Sequence, residues 1–109
     1  MGLFDFLKPK DINDGIRTFA ETDGALLLDV RTPQEFASGH IPGSLNLPLQ
    51  DLAMSGEPDI NIPSMDTPLF VYCRSGNRSG RAAMILEHMG YTSVKNIGGI
   101  IDYQGKTEA

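Results

Sequence analysis

Residues 73 to 81 read Cys-Arg-Ser-Gly-Asn-Arg-Ser-Gly-Arg, placing one thiol and three guanidinium groups within nine positions that contain no acid. Cys73 is the sole cysteine of the chain, so no internal disulfide can form. With two histidines it supplies too few soft ligands for a structural zinc site. It is therefore either a small buried hydrophobe at a strand end or a reactive centre. Its neighbours favour chemistry. Gly76 can take backbone angles that other residues avoid, so several successive N–H groups of a short loop can point into one space and bind an anion. A helix starting just beyond the loop adds about half a positive charge. A thiol with an ordinary pKa near ~8.5 is lowered by a helix N-terminus and nearby arginines, which brings a mostly ionised thiolate within reach. Arg78 lies where that helix begins and is placed to reach back to the loop. Arg74 reads equally well as a solvated surface charge, and Arg81 reads better as one.

Such a loop must be held by a strand before it and a helix after it, and the sequence supplies both. Leu69-Phe70-Val71-Tyr72, bounded in front by Pro68, predicts the strand. Beyond the loop, Ala82, Ile85, Leu86 and Met89 recur at helical spacing, and Gly90 stands where a left-handed C-cap is wanted. Leu26 to Val30, nearly continuous in apolar character as in a strand covered on both faces, predicts another strand. Thr32-Pro33-Gln34-Glu35 after it combines an N-cap, a proline at the first helical position and a glutamate three residues past the cap. That helix is limited to about two turns by Gly39 and Pro42-Gly43. Ser44 to Leu47 predicts a strand ended by Pro48, and Val94 to Ile97 with Gly98-Gly99 predicts a last one. Ile12, Ile16, Phe19 and Ala20 mark a first amphipathic helix. Residues 50 to 68, with three prolines, predict a partly irregular connection holding at most one short helix. Strands alternating with helices predict a small three-layer α/β sandwich with a mainly parallel central sheet.

Composition sets the limits. The chain has 109 residues, which is one domain's worth by the usual ~100–200 residues, with 40% hydrophobic and 21% charged residues as in an ordinary globular protein. A net charge of −5 argues against a nucleic-acid partner, since no broad basic footprint is available. No apolar run approaches the ~20 residues that span a bilayer, so no transmembrane segment is expected. Met1 to Leu7 lacks a cationic start and a cleavage site, which points to the cytoplasm. Leu3-Phe4-Asp5-Phe6-Leu7 could dock on the domain, pair with a partner or touch a membrane surface. Phe6 in place of Ser or Thr weakens a myristoylation reading of Gly2.

Several blocks together resemble a known family. Asp29-Val30-Arg31, Glu35-Phe36, Gly39-His40-Ile41-Pro42-Gly43-Ser44 and Asn46-Leu47-Pro48 are similar, in order and spacing, to the first conserved block of the single-domain rhodaneses, sulfurtransferases that use thiosulfate or persulfides. Tyr72-Cys73-Arg74-Ser75-Gly76-Asn77-Arg78-Ser79 resembles their active loop, and Val94 to Gly99 their closing strand. The likeness runs from about residue 11 to residue 105. It divides the chain into an N-terminal extension, 1–10, and a rhodanese-like domain, 11–109.

The resemblance implies that Cys73 takes a sulfane sulfur, holds it as a persulfide, and passes it to cyanide, a thiol or a protein acceptor. It implies that the substrate is held by Arg74, Ser75, Gly76, Asn77, Arg78 and Ser79, with the Arg78 side chain steadying the loop or receiving an anionic substrate. Asp29 and Arg31 would shape the site from a neighbouring strand, and no cofactor or metal is called for. His40 falls on a structural hydrogen-bonding position of the family. Tyr103 stands where a tryptophan is common, a smaller aromatic that can still plug the core. His88, late in its helix, reads as a partner for the C-terminal dipole. Two other readings remain: a binding or regulatory module on the same fold, and a small cysteine-dependent phosphatase or arsenate reductase. The latter is disfavoured because those enzymes carry a longer Cys-to-Arg loop than the four residues between Cys73 and Arg78.

Overall fold

A computed structural model of the protein describes residues 10–109. The Leu3–Leu7 segment lies outside the described residues. Four strands form one sheet: β1 (Leu26–Asp29), β2 (Ser44–Asn46), β3 (Leu69–Cys73) and β4 (Val94–Gly99). Their order across the sheet is β2-β1-β3-β4, and every pairing is parallel. The helices are α1 (Ile12–Ala20), α2 (Pro33–Ser38), α3 (Leu49–Ser55) and α4 (Asn77–His88). This is the α/β sandwich expected from the alternation of patterns.

Strand periodicity divides the core in two. Leu28, Val30, Val71 and Cys73 point to the face covered by α3 and α4, where Leu49, Leu52, Ala82 and Leu86 complete a buried cluster. Leu27, Phe70 and Tyr72 point the other way, against Ile12 and Ile16 of α1 and Ile41. All five residues of β3 are buried, which accounts for its unbroken apolar run. Burying a side chain of this size stabilises a fold by roughly 1.5–3 kcal/mol, so β3 with its two flanking layers anchors the domain.

The predicted start of α2 is observed in full. Thr32 Oγ1 accepts from the Glu35 amide, and the Glu35 carboxylate accepts from the Thr32 amide. Gly90 takes φ +108°, and Tyr91 N–H returns to the Leu86 carbonyl, closing α4 as its C-terminal glycine predicts. The connection from residue 50 to 68 holds the C-terminal part of α3 and then runs irregularly to β3. After β4 the chain makes one 3₁₀ turn, Ile100–Asp102, in place of a full last helix, and Tyr103 packs partly buried against the α1-side core.

Candidate active site

The chain leaves β1 toward β2 on one side and leaves β3 toward β4 on the other, so the strand order reverses between β1 and β3. Ligands of open α/β sheets collect at the carboxyl ends of strands at such a reversal. Asp29 and Tyr72 sit side by side there, with Cys73 one residue further along β3.

Arg74, Ser75 and Gly76 link Cys73 to α4. Gly76 takes φ +104°, a left-handed conformation that a Cβ resists. The turn brings its amide back over the strand end, where it donates to Cys73 Sγ at 3.0 Å. The Ser79 hydroxyl, in the first turn of α4, lies 3.4 Å from the same sulfur. Burial pushes the thiol up, but the Ser79 hydroxyl and the amides of Ser79, Gly76 and Ser75 outweigh it and hold Cys73 below its ordinary value. The loop therefore stabilises negative charge on sulfur.

Two elements that the sequence did not mark as part of the site hold this loop. Asn96 of β4 donates to the Gly76 carbonyl at 3.0 Å, and its Oδ1 accepts from Ser79 Oγ at 2.7 Å and from the Gly98 amide at 3.1 Å. An irregularity in the β3–β4 register places Gly99 beside Cys73. A Cβ on Gly99 would overlap the Arg74 carbonyl oxygen and stand 2.6 Å from Ser75 Cα, so the double glycine lets the loop lie flat on β4. Nothing in an isolated Asn within a strand pattern signals such a contact. The glycines were visible, but their partner was not.

Cys73 is only 1% exposed, so the sulfur lies on the floor of the loop and not at its mouth. The reason is the alternation of β3, which turns the side chain inward, toward Val71, Val30 and Ala82. Arg74, Ser75 and Asn77 are exposed above it.

Arg78 is engaged by a carboxylate of another helix. Its guanidinium forks onto Glu35 of α2, at 2.6 and 3.0 Å, joining α2 to α4. The Arg78 guanidinium, with the Thr32 amide, overcomes partial burial and holds the Glu35 carboxyl down at about 2. The same fork raises Arg78. Among the described residues, Arg74 and Arg81 have no carboxylate within ion-pair distance. Beside Arg78 opens a cleft of about 480 Å³, lined among others by Thr32, Leu49, Met54 and Arg81.

Asp29 and Arg31 form the other rim. Arg31 Nε and Nη2 donate to the Asp29 carboxylate at 2.7 to 3.1 Å, and Nη2 also donates to the Gly39 carbonyl at 2.7 Å. Burial works against the Arg31 charge, yet the bonds and charge of Asp29 raise it overall. His40 stacks on Phe36 and its Nδ1 meets the Phe36 carbonyl at 2.9 Å, contacts that tie it to α2.

Comparison with known proteins decides the family. The profile of the Rhodanese-like domain matches residues 13–106. The chain belongs to the rhodanese family. It is 37% identical over 75 residues to the thiosulfate sulfurtransferase PspE of Escherichia coli, an alignment covering 69% of this chain and 70% of that protein. It is 42% identical over 86 residues to YqhL of Bacillus subtilis, covering 78% of this chain and 65% of that relative, so the match spans somewhat under two thirds of YqhL. Among solved structures, a rhodanese with anions from E. coli superposes with a TM-score of 0.63 at 33% identity, covering 77% of this chain and 96% of that one. In this rhodanese domain the resemblance read from the motifs and the observed fold agree. The loop from Cys73 to Ser79 and the Asp29–Arg31 corner come together at one edge of the sheet.

Proposed function

We propose that Cys73 carries the sulfur that this protein transfers, as a persulfide held by the Gly76 and neighbouring amides. The protein is a sulfurtransferase of the rhodanese type, in keeping with relatives named thiosulfate sulfurtransferase. The observation that carries the reading is the Gly76 N–H aimed at Cys73 Sγ at 3.0 Å, with Ser79 Oγ close behind. Donors placed in advance around a site of developing charge need no reorganisation when that charge appears.

The chemistry needs two displacements. In the first, the Cys73 thiolate attacks the sulfane sulfur of thiosulfate. The S–S bond breaks with its electron pair on the leaving sulfite, and Cys73 becomes a persulfide anion. With a persulfide donor the leaving group is the donor's thiolate. In the second, a thiolate or cyanide attacks the outer sulfur, and Cys73 leaves as the thiolate it began as. Thiocyanate, a new persulfide or a sulfur-loaded protein acceptor is released.

Amides and a helix end fit both states of the sulfur, since each carries a single negative charge. Arg74, Ser75, Asn77 and Arg78 form the rim that a donor meets first, and Asp29 with Arg31 keeps the adjoining corner in shape. We place the protein in the cytoplasm, where a lone thiol stays reduced. Among the described residues no helix is long and apolar enough to cross a membrane.

Intact-mass analysis tests the reading. Incubation with thiosulfate or a low-molecular-weight persulfide should add one sulfur atom to the wild type and none to Cys73→Ser, and cyanide should remove it as thiocyanate. If sulfur transfer persists in Cys73→Ser, Cys73 is not the carrier.

A further inference from the structure

Sulfur transfer through Cys73 leaves unexplained why the best-placed cation of the loop is already engaged. Arg78 is the second residue of the helix that frames the thiol, yet both its terminal nitrogens are held by Glu35. We propose that Glu35 is a positioning residue that sets donor specificity: by withholding Arg78 it tunes the site toward singly charged sulfane donors and against dianions such as thiosulfate. The proposal rests on Cys73 being the sulfur acceptor.

The carboxylate is not a wandering surface acid. As the third residue of the α2 capping box, Glu35 accepts from the Thr32 amide through Oε1 at 3.1 Å; the same oxygen accepts from Arg78 Nη1 at 2.6 Å, and Oε2 accepts from Nη2 at 3.0 Å. It is thus fixed by backbone and guanidinium together, in the geometry of a charge-assisted fork. The pair is close to neutral as a unit. What remains to attract an anion toward sulfur is the ring of amides, the start of α4, and the exposed Arg74 and Arg81. One negative charge suits the amide ring. A second negative charge must find its cation farther out or displace Glu35 from Arg78. Because the Glu35 carboxyl is held at about 2, ordinary changes of pH do not release the pair, whereas an anionic ligand that competes for Arg78 can open it.

Glu35→Gln separates charge from fold, since glutamine serves at the third position of a capping box as glutamate does. Sulfate, an unreactive tetrahedral dianion, should protect Cys73 from iodoacetamide about fivefold more tightly in Glu35→Gln than in the wild type at constant ionic strength, an effect of the size expected for one unmasked, partly solvated charge. The KM for thiosulfate should fall by a similar factor. The KM for a small alkyl persulfide with no other charge should move by less than about twofold, because one negative charge is already matched. Adding Arg78→Gln to Glu35→Gln should cancel the gain.

The proposal is overturned if Glu35→Gln binds sulfate no more tightly, if the gain survives in the double variant, or if both donors shift equally. Failure of any donor to load sulfur on wild-type Cys73 would instead sink the transfer reading. Sulfate protection, which needs no turnover, would still decide the role of Glu35.

Discussion

Two arginine–carboxylate forks stand at the same end of the sheet and differ mainly in burial. Asp29 and Arg31 have side chains 0% and 7% exposed, and among the described residues no fully buried side-chain nitrogen or oxygen lacks a hydrogen-bond partner. Asn46 reinforces the corner by donating to the carbonyls of both Asp29 and Arg31. Glu35 and Arg78 are 31% and 36% exposed and link two helices across the rim. The bonds are similar in length, but the consequences differ. A buried pair cannot exchange its partner for water, so it fixes shape. A half-exposed pair can, so it remains adjustable by a ligand.

The sharpest way to break the comparison is to remove half of the buried pair. Asp29→Ala leaves the Arg31 guanidinium enclosed with only the Gly39 carbonyl, and should cost about 3–5 kcal/mol of stability in urea unfolding. A loss below about 1 kcal/mol, the range of an exposed pair, would erase the distinction between the two forks. Gly99→Ala comes next. Its methyl group meets backbone and not a flexible side-chain tip, so the loop must lift from β4. A stability loss of about 1–3 kcal/mol is expected, together with a slower reaction of Cys73 with iodoacetamide as the Gly76 amide leaves the sulfur. Unchanged alkylation would show that the cradle does not depend on β4.

How much of this could be read from the chain alone depends on whether the information is local. The capping box at Thr32 and Glu35, the C-terminal glycine of α4 and the apolar run of β3 are local patterns, and each is found where its residues place it. The Cys73 loop was legible for the same reason, since Gly76 and the start of α4 lie within a few residues of the thiol. Asn96 was not legible, because its contact with Gly76 joins residues 20 positions apart through the pairing of β3 with β4. The partner of Arg78 was missed on similar grounds. Glu35 was noticed for its capping, 43 positions away, and its second bond exists only once α2 and α4 are brought to one edge. Side-chain depth also escaped, since the position of Cys73 on the loop floor follows from which face of β3 meets α4.

Ser79 tests how the charge on the sulfur is held. The hydroxyl has one proton and three acceptors in reach: Asn96 Oδ1 at 2.7 Å, the Gly76 carbonyl at 3.1 Å and Cys73 Sγ at 3.4 Å. A neutral thiol competes poorly for that proton, whereas a thiolate competes well. Ser79→Ala should therefore raise the thiol pKa and slow alkylation at neutral pH by up to about tenfold, with the full rate recovered at high pH. The pH profile of iodoacetamide labelling reads this directly. An unshifted profile would assign the charge stabilisation to the amides alone.

The smallest effect expected concerns acid stability and the adjustable fork. Glu35 in the folded protein titrates at about 2 against an ordinary 4.5, so its contribution to stability is full above the ordinary value and is lost as pH falls through the folded one. Glu35→Gln lacks that contribution at every pH. The wild type should therefore exceed the variant by up to about 1 kcal/mol near neutrality, because the pair is a third exposed and screened, and the difference should shrink as pH falls from about 4.5 toward 2. Urea midpoints at several pH values measure it. A difference that stays constant across that window would mean that the substitution acts through the α2 cap and not through the charge that holds Arg78, and would place this fork with the architectural one.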